Sequence, residues 1–292
     1  MPMKHVINLL IAAGVFVFAG YYAYFISFNM PSVTGINLVK QSMLIAFAIQ
    51  WLAFIPAFIL KTEKFYDLTG SITYISVMTF ILWATQSLQE LHVGNIVLGL
   101  AVIVWAMRLG SFLFSRIAKD GEDKRFRSIK TSFSQFFMTW TLQGLWVFIC
   151  SSAALVAISR PDGIVINAFF YMGLGVFIFG FIYEVIADNQ KSAFRSNPKN
   201  KDAFITEGLW ARSRHPNYFG EITLWTGITV MSISSFSGLN YLALFSPIFT
   251  YILLNYVSGV RMLEDRGNKK WGHLEAYQNY RKTTPKLIPK LN

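Results

Sequence analysis

The sequence has 292 residues, of which 54% are hydrophobic, 16% aromatic and only 14% charged. A water-soluble domain carries about a quarter charged residues, so this composition excludes an ordinary soluble enzyme. The formal net charge of +11 would suggest nucleic acid in a soluble chain. Here the basic residues sit in a few loops between apolar runs, which points to membrane topology and to no nucleic-acid partner.

An apolar helix needs about 20 residues to cross a bilayer. Eight stretches meet or approach that length: Val6–Phe28, Leu38–Leu60, Leu68–Leu88, Val93–Ser115, Gln135–Ile158, Ile164–Ala187, Tyr218–Phe236 and Leu239–Val257. The first is read as a retained helix, because Phe25, Phe28 and Met30 make a poor signal-cleavage region. The expected fold is therefore all-α, a polytopic transmembrane bundle of about eight helices. With the N-terminus inside, segments 1–5, 61–67, 116–134, 188–217 and 258–292 fall on one side. They hold 23 of the 26 Lys and Arg residues. That asymmetry places both termini in the cytoplasm. The single cysteine, Cys150, reads as a small apolar packing residue.

Charges at membrane depth are costly and face a cavity or a partner. Arg108 lies about two turns before the end of the fourth stretch, and Arg116, eight residues on, shares its face. Two arginines on one face suit a phosphate, or they snorkel and form structural pairs. Glu184 and Asp188, spaced one turn apart, continue into Lys191 and Arg195. They are either a solvated helix end or a polar pocket wall, with acids for ribose hydroxyls and bases for phosphates. Asn217 is expected to cap a helix opening at Tyr218. That puts Glu221 one turn inside the membrane, with Arg214 and His215 as its nearest partners. The loop with Asp120, Glu122 and Asp123 matches no metal-binding spacing, and the four histidines are scattered, so no metal is expected.

The segment Gly208-Leu-Trp-Ala-Arg-Ser-Arg-His-Pro-Asn-Tyr-Phe-Gly-Glu221, followed by Trp225 and Gly227, resembles the signature of the membrane steroid 5α-reductase superfamily. The likeness is to its bacterial-type branch and covers roughly residues 60–290. It separates an extra N-terminal helix and loop, 1–36, from a reductase-like domain, 37–292. It implies NADPH in the cytoplasmic half, reducing a carbon–carbon double bond conjugated to a ketone in a lipophilic substrate that enters from lipid. The cofactor-binding residues it implies are Arg108, Arg116, Glu184, Asp188, Arg195, Arg214, His215, Asn217, Tyr218, Glu221, Trp225, Arg261, Glu264 and Tyr280. The last three belong to a tail that runs through Lys270-Trp-Gly272 to Leu287-Ile-Pro289. The family protonates the developing enolate with an acid and a tyrosine. Its tyrosine position falls here at Trp105, and its acid's helix matches Tyr66–Ser71. Asp67 and Tyr66 are therefore the catalytic candidates, with Tyr74 further inward.

Isoprenylcysteine and phospholipid methyltransferases carry a similar Arg-His-Pro signature and would use S-adenosylmethionine instead. A transporter or scaffold is the third reading. The density of bases and the full His-Pro-Asn-Tyr-Phe-Gly-Glu string favour the reductase, acting as a monomer among membrane lipids. The end of the sequence shows no dilysine or Lys-Asp-Glu-Leu signal. A bacterial inner membrane is favoured over the endoplasmic reticulum.

Overall fold

The computed structural model describes residues 3–30, 32 and 35–291. Ten α-helices occur among the described residues: α1 Met3–Ile26, α2 Leu38–Ile59, α3 Tyr66–Gln86, α4 Val93–Asp120, α5 Phe133–Ile158, α6 Ala168–Ser196, α7 Pro216–Ser232, α8 Phe245–Ile252, α9 Val260–Trp271 and α10 Glu275–Thr283. No strand occurs among the described residues; a lone bridge joins Ser32 and Asn37. Among the described residues, seven stretches are long and apolar enough to cross a membrane: α1 to α6 and the continuous run Gly238–Trp271. The protein is an integral membrane protein.

Two of the eight expected stretches differ from expectation. The seventh is the 17-residue α7, about 25 Å long at 1.5 Å per residue, followed by a 3₁₀ turn at Ile233–Ser235. The eighth is a composite: a 3₁₀ segment Gly238–Leu244, then α8, a π turn at Leu253–Val257, and α9.

The chain sorts into two compact units, Met1–Phe170 with Ile228–Ser246, and Tyr171–Gly227 with Pro247–Asn292. In the first unit α5 is the central helix. Nearly every residue from Leu145 to Ile158 is buried, as expected of a helix apolar all round. Elsewhere large side chains such as Leu10, Leu52, Ile59 and Met107 are exposed. A water-soluble protein rarely shows that much apolar surface; in hydrocarbon it is the favoured exterior. The first helix is held to α5 by polar contacts. His5 Nδ1 lies 2.8 Å from Ser134 Oγ, and the Tyr22 hydroxyl lies 3.0 Å from Ser152 Oγ.

The polar end of this unit is clamped by Glu63, which is 3% exposed. Its carboxylate accepts from Lys130 Nζ at 2.6 Å and from the Asp123 backbone N–H at 3.0 Å. These bonds pin the α4–α5 loop over an aromatic cluster of Phe54, Tyr66, Phe126, Phe136 and Trp140. Glu63→Ala strands a lysine and a backbone donor, and is expected to cost about 3 kcal/mol. Faster proteolytic nicking between residues 121 and 132 checks this; an unchanged rate would show that the clamp does not hold the loop.

In the second unit α6 and α7 meet backbone to backbone. A Cβ added to Gly220 would sit 2.7 Å from the Glu184 amide nitrogen, and one on Gly180 would sit 2.5 Å from that of Leu224. Gly227 meets the Phe177 nitrogen in the same way. Small residues at such spacing let membrane helices approach closely. The contact sets Glu184 of α6 level with the Gly220–Glu221 turn of α7.

Candidate functional site

The signature segment begins with Gly208 at φ +59°, a conformation that suits glycine. It lies against Gln190 of α6, whose side-chain carbonyl accepts from the Leu209 N–H at 2.9 Å. A 3₁₀ turn, Gly208–Ala211, then buries Trp210. Its indole N–H donates to the Ala187 carbonyl at 2.9 Å, and Lys191 Nζ lies 4.3 Å from its ring centroid. Helix α7 starts at Pro216, not at Tyr218 as expected. Proline suits the first helical position because no partner for an N–H is needed there. The His215 carbonyl takes the first helical bond, from Phe219 N–H at 3.2 Å. Asn217 is therefore inside the first turn and is not the cap.

The centre of the site is Glu264 on α9. Its carboxylate accepts from Arg214 Nη1 at 2.8 Å and His215 Nε2 at 2.9 Å, with Arg281 Nε at 3.5 Å. Glu221, close by in sequence, was the expected partner of Arg214 and His215. The structure turns both to an acid about 50 residues further on. The tail closes over the same loop through backbone bonds: Arg214 N–H to Pro285 O at 3.0 Å and Lys290 N–H to Arg212 O at 3.0 Å. Ser213 Oγ donates to the Leu287 carbonyl at 2.7 Å. The Tyr280 hydroxyl donates to the Trp210 carbonyl at 2.6 Å. The rings of Phe204, Trp271, Tyr277 and Tyr280 pack beside it.

His215 is 5% exposed, and its ring lies parallel to Tyr218 at 5.9 Å. Burial pushes the imidazole pKa below the usual histidine value, and neighbouring Lys191 and Arg214 push the same way. The hydrogen bond to Glu264 opposes the shift without cancelling it. The ring is thus neutral near pH 7, donating from Nε2 and leaving Nδ1 as an acceptor. Burial likewise raises the Tyr280 pKa. Since the folded His215 pKa is depressed, the unfolded chain binds the proton first as pH falls below about 6.5. Stability is complete above that value and declines toward the folded pKa. His215→Gln is expected to flatten the decline in thermal unfolding measured from pH 5 to 8; parallel curves would show that another group causes it.

Around the signature loop and α9, the buried atoms with no hydrogen-bond partner among the described residues include Arg214 Nε, His215 Nδ1 and Asn268 Oδ1, one turn beyond Glu264. One donor and two acceptors left open beside a paired acid fit a polar ligand with both kinds of group.

The remaining candidates are placed as follows. Glu184 and Asp188 are buried on α6, and Arg195 is exposed near its end. Asn217, Tyr218, Glu221 and Trp225 occupy the first three turns of α7, and Trp225 is buried. Arg261 is exposed one turn before Glu264. Arg108, Arg116, Tyr66 and Asp67 belong to the first unit. There Arg116 Nη2 lies 3.7 Å from Asp67, Arg108 stacks on Phe112, and the Tyr66 hydroxyl donates to the Thr139 carbonyl at 3.0 Å. Sequence reasoning missed Glu63, Trp210 and Arg281. An acid between Lys61 and Lys64 at a helix exit was the available signal for the first.

Residues 53–284 match the family described as protein of unknown function (DUF1295). The chain belongs to the DUF1295 family. That family lies within the steroid 5α-reductase-like superfamily. The match leaves out α1. Among curated proteins, the probable O-methyltransferase ustE of Ustilaginoidea virens is similar to this DUF1295 chain, with 29% identity over 93 residues. The match covers 32% of each protein, so the chain spans about a third of that relative's length. No solved structure matches.

Proposed function

We propose that this protein is a membrane reductase that uses NADPH to saturate a carbon–carbon double bond conjugated to a carbonyl in a lipophilic molecule drawn from the bilayer. The observation that carries this reading is the closure of the signature loop and the tail upon Glu264, which leaves Arg214 Nε, His215 Nδ1 and Asn268 Oδ1 buried without hydrogen-bond partners among the described residues. Arg214, His215 and Asn268 would hold the polar parts of the dinucleotide, and Glu184 and Asp188 its ribose hydroxyls. The cofactor supplies hydride to the β carbon. The chain must then supply a proton as charge develops on the carbonyl oxygen. Because the Tyr66 hydroxyl is committed to Thr139, Asp67 is the stronger donor candidate. The basic loops, and with them the cofactor side, lie in the cytoplasm, and the membrane is a bacterial inner membrane.

A second reading, S-adenosylmethionine-dependent methylation, is favoured by the similarity to the O-methyltransferase. Thermal unfolding of the full chain in detergent separates the two. NADPH at a hundred times its Kd is expected to stabilise by about 2.7 kcal/mol, with S-adenosylmethionine inert. The reverse ranking establishes the methyltransferase, and no response to either returns the transporter or scaffold.

A further inference from the structure

Deep in the first unit, α2, α3 and α5 meet at a polar knot. Gln50 of α2 is 0% exposed and Gln143 of α5 is 2% exposed. Gln50 Nε2 donates to Thr73 Oγ1 at 2.8 Å, and that hydroxyl donates in turn to the Thr69 carbonyl at 2.7 Å. Gln143 reaches over Gly70: a Cβ there would lie 2.6 Å from its Nε2. The next residue on α5, Gly144, faces the Gln50 side chain, since its added Cβ would lie 3.5 Å from Gln50 Cγ.

The hydrogen bonds of this knot run in one direction. The Gln50–Thr73 donors are used internally, while the carbonyl oxygens Gln50 Oε1 and Gln143 Oε1 have no partner among the described residues. One turn before Gln143, the fully buried Trp140 leaves its indole N–H without a partner too. A buried carbonyl without a donor is costly, and a membrane bundle has no bulk water to supply one. None of the helix turns that carry Gln50, Thr73, Trp140 and Gln143 contains a lysine or arginine. The knot therefore suits a neutral group that donates to an amide oxygen. It does not suit a carboxylate or a phosphate.

We propose that this knot is the polar-end subsite for the lipophilic substrate, and that the group it takes is a hydroxyl, or its N–H equivalent, on an otherwise apolar molecule. The proposal rests on the reading of the chain as an enzyme of bilayer substrates, and it narrows the substrate class to neutral lipid alcohols. It also sets a scale. Thr73 is six residues beyond Asp67 on α3, about 9 Å along the axis, so the hydroxyl end and the reacting carbonyl are separate parts of one molecule.

The test compares lipids that copurify with the full-length wild type, with Gln50→Leu/Gln143→Leu, and with the near-isosteric Gln50→Met/Gln143→Met, which gives the reading should the leucine pair fail to insert. Untargeted mass spectrometry is expected to find a neutral hydroxyl- or N–H-bearing lipophile enriched at least about tenfold in the wild type, the scale of one or two lost hydrogen bonds. Equal retention in wild type and variants, enrichment of anionic lipids only, or no enrichment overturns the proposal and leaves the oxygens to structural water. NADPH and S-adenosylmethionine titrations of the same preparations report separately on the cofactor reading. A wild type that retains the alcohol but responds to neither cofactor sinks the reductase and keeps the subsite.

Discussion

Gly220→Leu is expected to give no folded protein, and Gly220→Ala to lower stability by about 2–3 kcal/mol. The added Cβ meets the Glu184 amide nitrogen at 2.7 Å and the Gly180 carbonyl oxygen at 2.8 Å. Both are backbone atoms, so no rotamer change relieves the clash. The helices must separate, and the packing along Phe177, Gly180, Leu224 and Gly227 is lost with them. Gly175 supplies the control on the same α6 helix. It is exposed and has nothing within 4 Å of an added Cβ, so Gly175→Ala should gain about 0.5–1 kcal/mol from reduced unfolded-state freedom. Thermal unfolding in detergent reads both. Equal midpoints for Gly220→Ala and Gly175→Ala would mean that α6 and α7 do not touch along this seam.

Glu264→Gln is expected to lose about 3 kcal/mol and all stabilisation by cofactor. The change removes the charge that faces Arg214, whose side chain is only 12% exposed. It thereby leaves a cation uncompensated, which costs far more than the pair contributes when intact. A glutamine still accepts from His215, so the loss isolates charge from hydrogen bonding. Arg281→Gln tests the ranking. Its side chain is 39% exposed and its contact is 3.5 Å, so the expected cost is under about 1 kcal/mol. Unfolding midpoints and cofactor titrations of the two variants decide the matter. If Arg281→Gln proves the more damaging, Arg214 is not the main partner of Glu264.

The membrane helices were legible because an apolar run of bilayer length is seldom anything but a membrane-spanning helix. The signature loop was legible because Arg214-His-Pro-Asn-Tyr-Phe-Gly-Glu221 is dense in unusual residues. What the sequence hid was pairing. Arg214 and His215 have Glu221 close by in the chain, yet they bond Glu264, and nothing local distinguishes the two acids. The start of α7 was misplaced because the capping habit of Asn217 outweighed the preference of Pro216 for a first helical position. Gln50 and Gln143 passed unnoticed because an uncharged amide barely interrupts a hydrophobic run, though unpaired amide groups in a bundle core are as demanding as many charges. Trp210 and Lys191 were visible as residues and invisible as a stacked pair.

The backbone bonds between the signature loop and the tail also order events during synthesis. Ser213 waits for Leu287, made 74 residues later, and Arg214 waits for Glu264. In between, the ribosome delivers Ile228–Ser246, which joins the other unit. A nascent chain halted before residue 264 thus displays Arg214 and His215 without the acid that they bond in the folded protein. The helices can be integrated into the bilayer at that stage, but the Glu264 cluster cannot yet exist.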